Sequence, residues 1–335
     1  MNTKIRNISG YVIKALIILI AFGYIYKQVF VDHDIHQFTS SLSNFLVGPS
    51  QLLTLALVVI LMFGNWTIET FKWRFLIKKY ENVSMLNAYR GVLAGITVSL
   101  FTPNHIGEYG GRVFVLDPTN RWKGVISTVI GSISQLIITL VMGMIGFLIF
   151  LVRNNSDNLE FPHALSYGLI ITLIIVIICV VIFFFNISLL ESLLKKIIKK
   201  EKVLDELAVI HTYRSGELLH VLLLSLSRYI LFTFQYYLLL RLFSIEVPLS
   251  DAFILISSIY FVMALIPSFA LSELGIRGSV ALFFFSNYFI SSGIADDQMN
   301  FGIIFASFLL WIINLAIPAI AGSLMLINMN LFKKN

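Results

Sequence analysis

The sequence predicts an all-α polytopic membrane protein with six spanning helices and two broken helical hairpins, arranged as an inverted-topology repeat. First, 58% of the 335 residues are hydrophobic and 13% are charged, whereas soluble domains are about 45–50% apolar and about 25% charged. Second, six apolar stretches reach the roughly 20 residues that a spanning helix needs. Third, two more apolar regions are interrupted by proline, glycine and charged residues. This composition excludes a soluble enzyme, a secreted disulfide scaffold and a nucleic-acid module.

The predicted spans follow the uninterrupted apolar stretches. They are Tyr11–Val31, Gln51–Thr70, Gly124–Val152, Ala164–Asn186, Leu218–Leu242 and Phe301–Asn328. The first follows basic residues as a signal peptide does, but it is longer than a signal-peptide core and lacks a small-residue cleavage site, so we interpret it as a retained span. The single cysteine, Cys179, lies in the fourth span, which excludes an internal disulfide and a cysteine-rich metal site.

Basic residues predict the orientation. If each broken region enters and leaves on one side, nearly all lysines and arginines outside the spans fall on the same side. They include Lys4, Lys14, Lys72, Arg74, Lys123, Lys200 and Lys333, whereas the other side holds Lys27, Arg153 and Arg241 at span ends. Positively charged loops stay in the cytoplasm. We therefore expect a multi-pass protein of the cytoplasmic (inner) membrane with both termini in the cytoplasm.

The connector Ile187–Ile210 alternates apolar residues with lysines at helical spacing. Such a pattern is typical of an amphipathic helix on the cytoplasmic leaflet, attracted to anionic headgroups. A solvated basic loop helix accounts for the pattern equally well.

The two broken regions, Leu86–Leu116 and Asp251–Ile290, share a pattern. In each, an apolar arm ends at a proline (Pro103, Pro267), a polar turn follows, and Glu-x-x-x-Arg comes next, at offsets of 164 and 165 residues. We predict one transmembrane domain over 1–335, with a first repeat at about 50–152 and a second at about 217–328. Inverted repeats of this kind place broken helices and a substrate site near the bilayer midplane. The first return arm is too short to cross, so it predicts a re-entrant hairpin. The second region either re-enters or crosses twice.

The charged residues at these breaks are the candidate site. Glu108 and Arg112, like Glu273 and Arg277, lie four residues apart on one helix face and can form ion pairs. Charges at membrane depth are costly and usually functional, although pairs that only fix the hairpins are an open alternative. The candidate substrate-binding residues are Pro103, Asn104, His105, Gly107, Glu108, Arg112, Pro267, Ser272, Glu273, Arg277, Glu69 and Arg228.

Three segments together resemble a known family. They read FKWRFLIKKY, RGVLAGITVSLFTPNHIGEYGGR and IPSFALSELGIRGS, and over about residues 10–328 the chain resembles the flippase-like transmembrane family that includes the membrane half of lysylphosphatidylglycerol synthases. The resemblance implies two re-entrant hairpins and phospholipid movement across the bilayer. It extends to Pro103, Gly107, Glu108 and Arg112, and more weakly to Pro267, Gly275 and Arg277.

The chain also departs from the family pattern. In the second broken region, Leu271 and Ser272 stand where glycines often precede the second glutamate, and Gly278 follows Arg277 in place of a glutamate. In the third predicted span, an arginine that is often found in the family is replaced by Ser132, Ser134 and Gln135. Because the sequence stops at Asn335 after the last span, the soluble aminoacyl-transfer half and its activity are not expected. We expect a protein that is not an enzyme, with an intramembrane enzyme as an alternative.

The function expected from these features is translocation of a phospholipid or lipid-linked substrate through a midplane polar cavity between the hairpins. Arginine suits bidentate contact with phosphate. The expected partners are membrane phospholipids with anionic headgroups, with no nucleic acid and no cofactor. Alternatives are a small-solute secondary transporter, an intramembrane lipid-modifying enzyme that uses His105 and Glu108, and a non-transporting scaffold.

Overall fold

In the computed structural model of the chain, every regular element of the described residues is helical. These residues are 48–102, 105–154, 163–186, 189, 191–192, 205–266, 270–291 and 297–327. The predicted span Tyr11–Val31 and most of the predicted amphipathic segment Ile187–Ile210 lie outside them. Internal contacts divide the chain into two compact units. The first comprises Met1–Val129, Ser268–Leu274 and Phe308–Asn335, and the second comprises Ile130–Pro267 and Gly275–Ser307.

The helices follow the apolar pattern of the sequence. In chain order they are α1 (Pro49–Ile77), α2 (Met85–Ser99), α3 (Gly107–Arg112), α4 (Arg121–Asn154), α5 (His163–Phe185), α6 (Ser215–Leu242), α7 (Leu249–Leu265), α8 (Ala270–Ser291), α9 (Asp297–Trp311) and α10 (Ile317–Ile327). Short 3₁₀ turns lie at Val113–Val115, Pro118–Asn120 and Asp205–Thr212, and a π-helical turn at Ile312–Ala316 joins α9 to α10.

Four helical segments are long and apolar enough to cross a membrane, judged by length and composition among the described residues. They are Pro49–Ile77, Pro118–Arg153, Ser215–Leu242 and Met299–Leu326, and each contains or closely matches a predicted span. The predicted span Ala164–Asn186 is helical as α5. The first predicted repeat contains α1, α2, α3 and α4, and the second contains α6, α7, α8 and the segment α9–α10, which the π turn interrupts.

The second arms of the two broken regions differ in length. In the first region, α3 has 6 residues and is followed by a single 3₁₀ turn. In the second, α8 has 22 residues, about 33 Å at 1.5 Å per residue, which is comparable with the thickness of a hydrocarbon core. By length alone, the return arm of the first region is shorter than a hydrocarbon core, whereas that of the second is about as long as the core is thick.

In the first unit, α2 and α3 form a tightly packed antiparallel hairpin. The backbone of Gly107 lies against Val98, and that of Gly111 lies against Gly95. A Cβ atom on Gly111 would be 2.5 Å from the Gly95 Cα, closer than real Cβ contacts, so only glycine permits this approach. Small residues allow such close helix contacts within membranes.

The open end of this hairpin is tied together by Glu81, which precedes α2. The Asp117 backbone N–H donates to both Glu81 carboxylate oxygens at 3.2 and 3.3 Å, and Asn120 Nδ2 donates to Oε2 at 3.0 Å. The Ser84 hydroxyl accepts from the Asn87 N–H at 3.3 Å and begins α2. The chain therefore enters and leaves the hairpin at one place.

The last apolar segment of the first unit packs on α2. Thr97 Oγ1 donates to the Ala319 carbonyl at 2.8 Å. The helix widens into the π turn just before Pro318, where the Ile317 N–H donates to the Ile312 carbonyl five residues earlier. A proline has no N–H to donate, and π turns are common near such interruptions and at functional sites. The turn places the Asn314 side chain against α1, where Asn65 Nδ2 donates to Asn314 Oδ1 at 3.3 Å.

In the second unit, hydrogen bonds between buried side chains join α6 to α7 and α9. The Tyr229 hydroxyl donates to Ser257 Oγ at 2.8 Å, and the Tyr236 hydroxyl is hydrogen-bonded to Ser307. At the surface, Arg153 Nη1 contacts Asp251 Oδ1 at 2.6 Å. This ion pair places the end of α4 beside the start of α7.

Candidate functional site

A buried cluster of four charged side chains lies where α1 meets the first hairpin. Arg112 Nη1 donates to Glu69 Oε1 at 2.7 Å, and Lys72 Nζ lies 2.8 Å from Glu69 Oε2. The second terminal nitrogen of Arg112 pairs with Glu108. Arg112 therefore bridges two carboxylates, and Glu69 bridges two cations.

Local structure explains how each member reaches the cluster. Glu69 and Lys72 are three residues apart on α1 and share a face of that helix. Glu108 and Arg112 are four residues apart on α3, as the sequence predicts. Gly95 makes room for the arginine, since a Cβ atom there would lie 2.8 Å from Arg112 Cγ. The arginine side chain thus passes over a glycine of α2 to reach α1.

The four side chains of the cluster differ in how deeply they are buried. The side chains of Lys72, Arg112 and Glu69 are 1%, 2% and 4% exposed, whereas that of Glu108 is 21% exposed. Glu108 is thus the most exposed member of the cluster. With two acids and two bases, the four formal charges sum to zero, which suits burial at low dielectric because isolated charges there are costly.

His105 lies in the turn of the hairpin, with a backbone φ of 57°. Non-glycine residues seldom adopt this left-handed conformation, and it is often found at functional sites. The His105 ring Nε2 lies 3.3 Å from Glu273 Oε2, and both residues belong to the first unit. Nearby, the Gly107 N–H donates to Thr102 Oγ1 at 2.7 Å. His105 therefore contacts Glu273, and Glu108 is held by Arg112.

The predicted site residues of the second unit, Arg277 and Arg228, have surroundings that differ from those of the Arg112 cluster. Arg277 is buried in α8, with an exposed fraction of 9%, and it interacts electrostatically with Tyr236 and Tyr260. Arg228 is half-buried in α6. Three predicted residues, Pro103, Asn104 and Pro267, lie outside the described residues, as does the side chain of Ser272.

Sequence reasoning missed the role of Lys72. The sequence groups it with the basic residues of the cytoplasmic side and predicts no partner for it. In the structure, α1 continues beyond the predicted end at Thr70, and the Lys72 side chain is buried. Its spacing of three residues from Glu69 was the available signal. The Asn65–Asn314 hydrogen bond was also missed, although both polar residues interrupt apolar stretches.

The fold and the site define a class: helical integral membrane proteins with a buried charge cluster at a broken helical hairpin. Residues 11–317 match the family described as the lysylphosphatidylglycerol synthase transmembrane region, and the chain belongs to this family. No curated protein and no solved structure matches it. The family indicates a lipid-related function in the membrane. The matched region is the membrane part of the synthases, which is compatible with a non-catalytic domain.

Proposed function

We propose that this protein translocates a phospholipid or a lipid-linked substrate across the cytoplasmic membrane, and that Arg112 binds the substrate phosphate. The observation that carries the proposal is the burial of Arg112 between a deep carboxylate, Glu69, and a shallower one, Glu108. Arginine offers a planar fork of donors that fits two oxygens of a phosphate. Family membership supports a lipid as the transported molecule.

Substrate binding would be an exchange of anions. Glu108 is the most exposed member of the cluster, and its carboxylate pairs with a terminal nitrogen of the Arg112 guanidinium. A lipid phosphodiester carries one negative charge, so it can replace Glu108 on Arg112 without changing the charge of the buried cluster. Glu69 and Lys72 would stay in place and hold the arginine during the exchange. This avoids the cost of leaving a buried charge unpaired.

The first hairpin would form a re-entrant dip. Its two ends meet at Glu81, Asp117 and Asn120, and the 15 residues of α2 extend about 22 Å at 1.5 Å per residue, less than the roughly 30 Å of the hydrocarbon core. The charge cluster would then lie within the membrane, where broken helices are tolerated next to a polar cavity. Since the guanidinium of Arg277 offers the same fork of donors, we propose that it contacts phosphate in the second half of the chain. We also propose that the two halves form an inverted repeat and that both termini lie in the cytoplasm.

The test uses the purified protein in phospholipid vesicles, with transfer of a fluorescent lipid between leaflets as the measurement. Arg112→Lys keeps the charge but loses the fork, and we expect transfer to fall by roughly tenfold or more, since a hydrogen bond to a charged group contributes about 1.5–3 kcal/mol. Arg112→Ala should abolish transfer.

The matched control is Arg90→Lys on α2 of the same hairpin, where the arginine Nη1 contacts Asn87 Oδ1 at 3.5 Å. This variant should transfer lipid at the wild-type rate. Thermal unfolding verifies that all variants are folded. A folded Arg112→Lys protein with the wild-type transfer rate would show that the guanidinium is not a phosphate ligand.

A further inference from the structure

A second candidate lipid site lies in the second unit, at the ends of two helices. A cavity of about 710 Å³ is lined by the last residues of α5 and by the residues that lead into α6. Its volume is within the range of about 300–1,000 Å³ that small-molecule sites occupy. Apolar helices end near the headgroup region of a bilayer, which is the depth expected for this cavity.

The lining of the cavity is divided by polarity. Val181, Ile182 and Phe185 form an apolar part on α5, while Asn186, His211, Arg214 and Ser215 form a polar part, and Tyr213 completes the lining. On α5, Ile182 of the apolar part is 58% exposed, and Ile178, one turn earlier, is 52% exposed. A ligand that fits this arrangement has an anionic or polar head and an apolar tail.

The charges around the cavity favour an anionic head. The Arg214 side chain is exposed and precedes the first residue of α6, where the helix dipole also favours anions. Two carboxylates in this region have partners within the protein. Glu191 pairs with His211, and Glu217 accepts the Arg214 backbone N–H at 2.8 Å.

From this geometry we propose that the cavity binds one anionic phospholipid of the adjacent leaflet. The phosphate contacts the Arg214 guanidinium and the Asn186 amide, and one acyl chain lies along Ile182 and Phe185. The site shares no residue with the Arg112 cluster, and its test does not depend on lipid translocation. A free phosphate ion would satisfy the polar part alone, and the exposed isoleucines of α5 favour the lipid.

The experiment measures lipid binding to the full chain in detergent by native mass spectrometry. Phosphatidylglycerol and phosphatidylcholine with identical acyl chains are compared. We expect Arg214→Gln to weaken binding of phosphatidylglycerol by about tenfold, a factor that corresponds to 1.4 kcal/mol, and Arg214→Lys to weaken it less. Ile182→Trp fills the apolar part without changing charge and should also reduce phosphatidylglycerol binding.

The control variant is Arg241→Gln, at the opposite end of α6, where Arg241 is also exposed and contacts the Tyr237 hydroxyl at 3.5 Å. It should bind phosphatidylglycerol like the wild type. Equal losses in Arg214→Gln and Arg241→Gln would indicate general charge attraction and overturn the site. Unchanged binding in Arg214→Gln would also overturn it. Displacement of the lipid by millimolar inorganic phosphate would assign the polar part to free phosphate and reject the lipid.

Discussion

Replacement of Gly111 by alanine tests the packing that brings Arg112 to its carboxylates. The added Cβ atom would lie 2.5 Å from Gly95 Cα, 2.7 Å from the Ala94 carbonyl oxygen and 2.8 Å from the Gly95 nitrogen. All three are backbone atoms, which cannot rotate away as a flexible side chain can. The hairpin must therefore open, and α3 must move away from α2.

The neighbouring glycine of α3 provides a matched variant from which the free-energy cost of the overlap can be obtained. Overpacking typically costs about 1–3 kcal/mol, while alanine favours a helix over glycine by about 0.8–1 kcal/mol. A Cβ atom on Gly110, the preceding residue of α3, has no heavy atom within 4 Å outside its own helix turn. Gly110→Ala therefore gains the helix preference without the overlap. The difference in unfolding free energy between the two variants isolates the overlap, at about 1–3 kcal/mol.

The assay is reversible unfolding in detergent micelles, followed by the fluorescence of tryptophans such as Trp66 and Trp73 on α1. We expect Gly110→Ala to equal or exceed the wild type in stability and Gly111→Ala to fall below it. In vesicles, Gly111→Ala should also transfer lipid more slowly, since Arg112 is displaced with α3. Equal stabilities for the two alanine variants would refute the close antiparallel packing of α2 and α3.

Two further predictions concern buried charge and orientation. Glu69→Gln removes a carboxylate from two buried cations and should lower the unfolding free energy by about 3–5 kcal/mol. The double variant Glu69→Gln/Lys72→Met should recover part of this loss, and an unchanged unfolding free energy in the single variant would contradict the cluster. In a Cys179→Ser background, a cysteine at Asp297 should react with an impermeant thiol reagent from outside, and one at Asn82 only after permeabilisation; the opposite labelling would reverse the proposed orientation.

The sequence predicts most strongly what depends on local spacing. Uninterrupted apolar length identifies α1, α4 and α6, because a membrane helix must satisfy its backbone hydrogen bonds internally and cover them with apolar side chains. The four-residue spacing of Glu108 and Arg112 likewise predicts their ion pair. The break at Pro103 predicts that the helix stops there, and α2 ends at Ser99.

Contacts between distant segments cannot be obtained in this way. The Arg112–Glu69 bond joins residues 43 positions apart, and it depends on the packing of Gly95 and Gly111, which composition alone does not reveal. The burial of Lys72 is not predicted, because lysines near the end of an apolar stretch usually reach the membrane surface. Here α1 continues to Ile77, and the lysine is buried beside Glu69.

The most direct test of the phosphate-binding role is lipid transfer by the double variant Glu108→Gln/Arg112→Gln in vesicles. Removing both members of this ion pair avoids the penalty of a single unpaired charge, and Glu69 keeps Lys72 as a partner, so we expect a folded protein. If Arg112 binds the substrate phosphate, this protein should not transfer lipid. If the pair only fixes the hairpin, transfer should continue. A folded double variant that moves lipid at the wild-type rate would contradict the proposed substrate site.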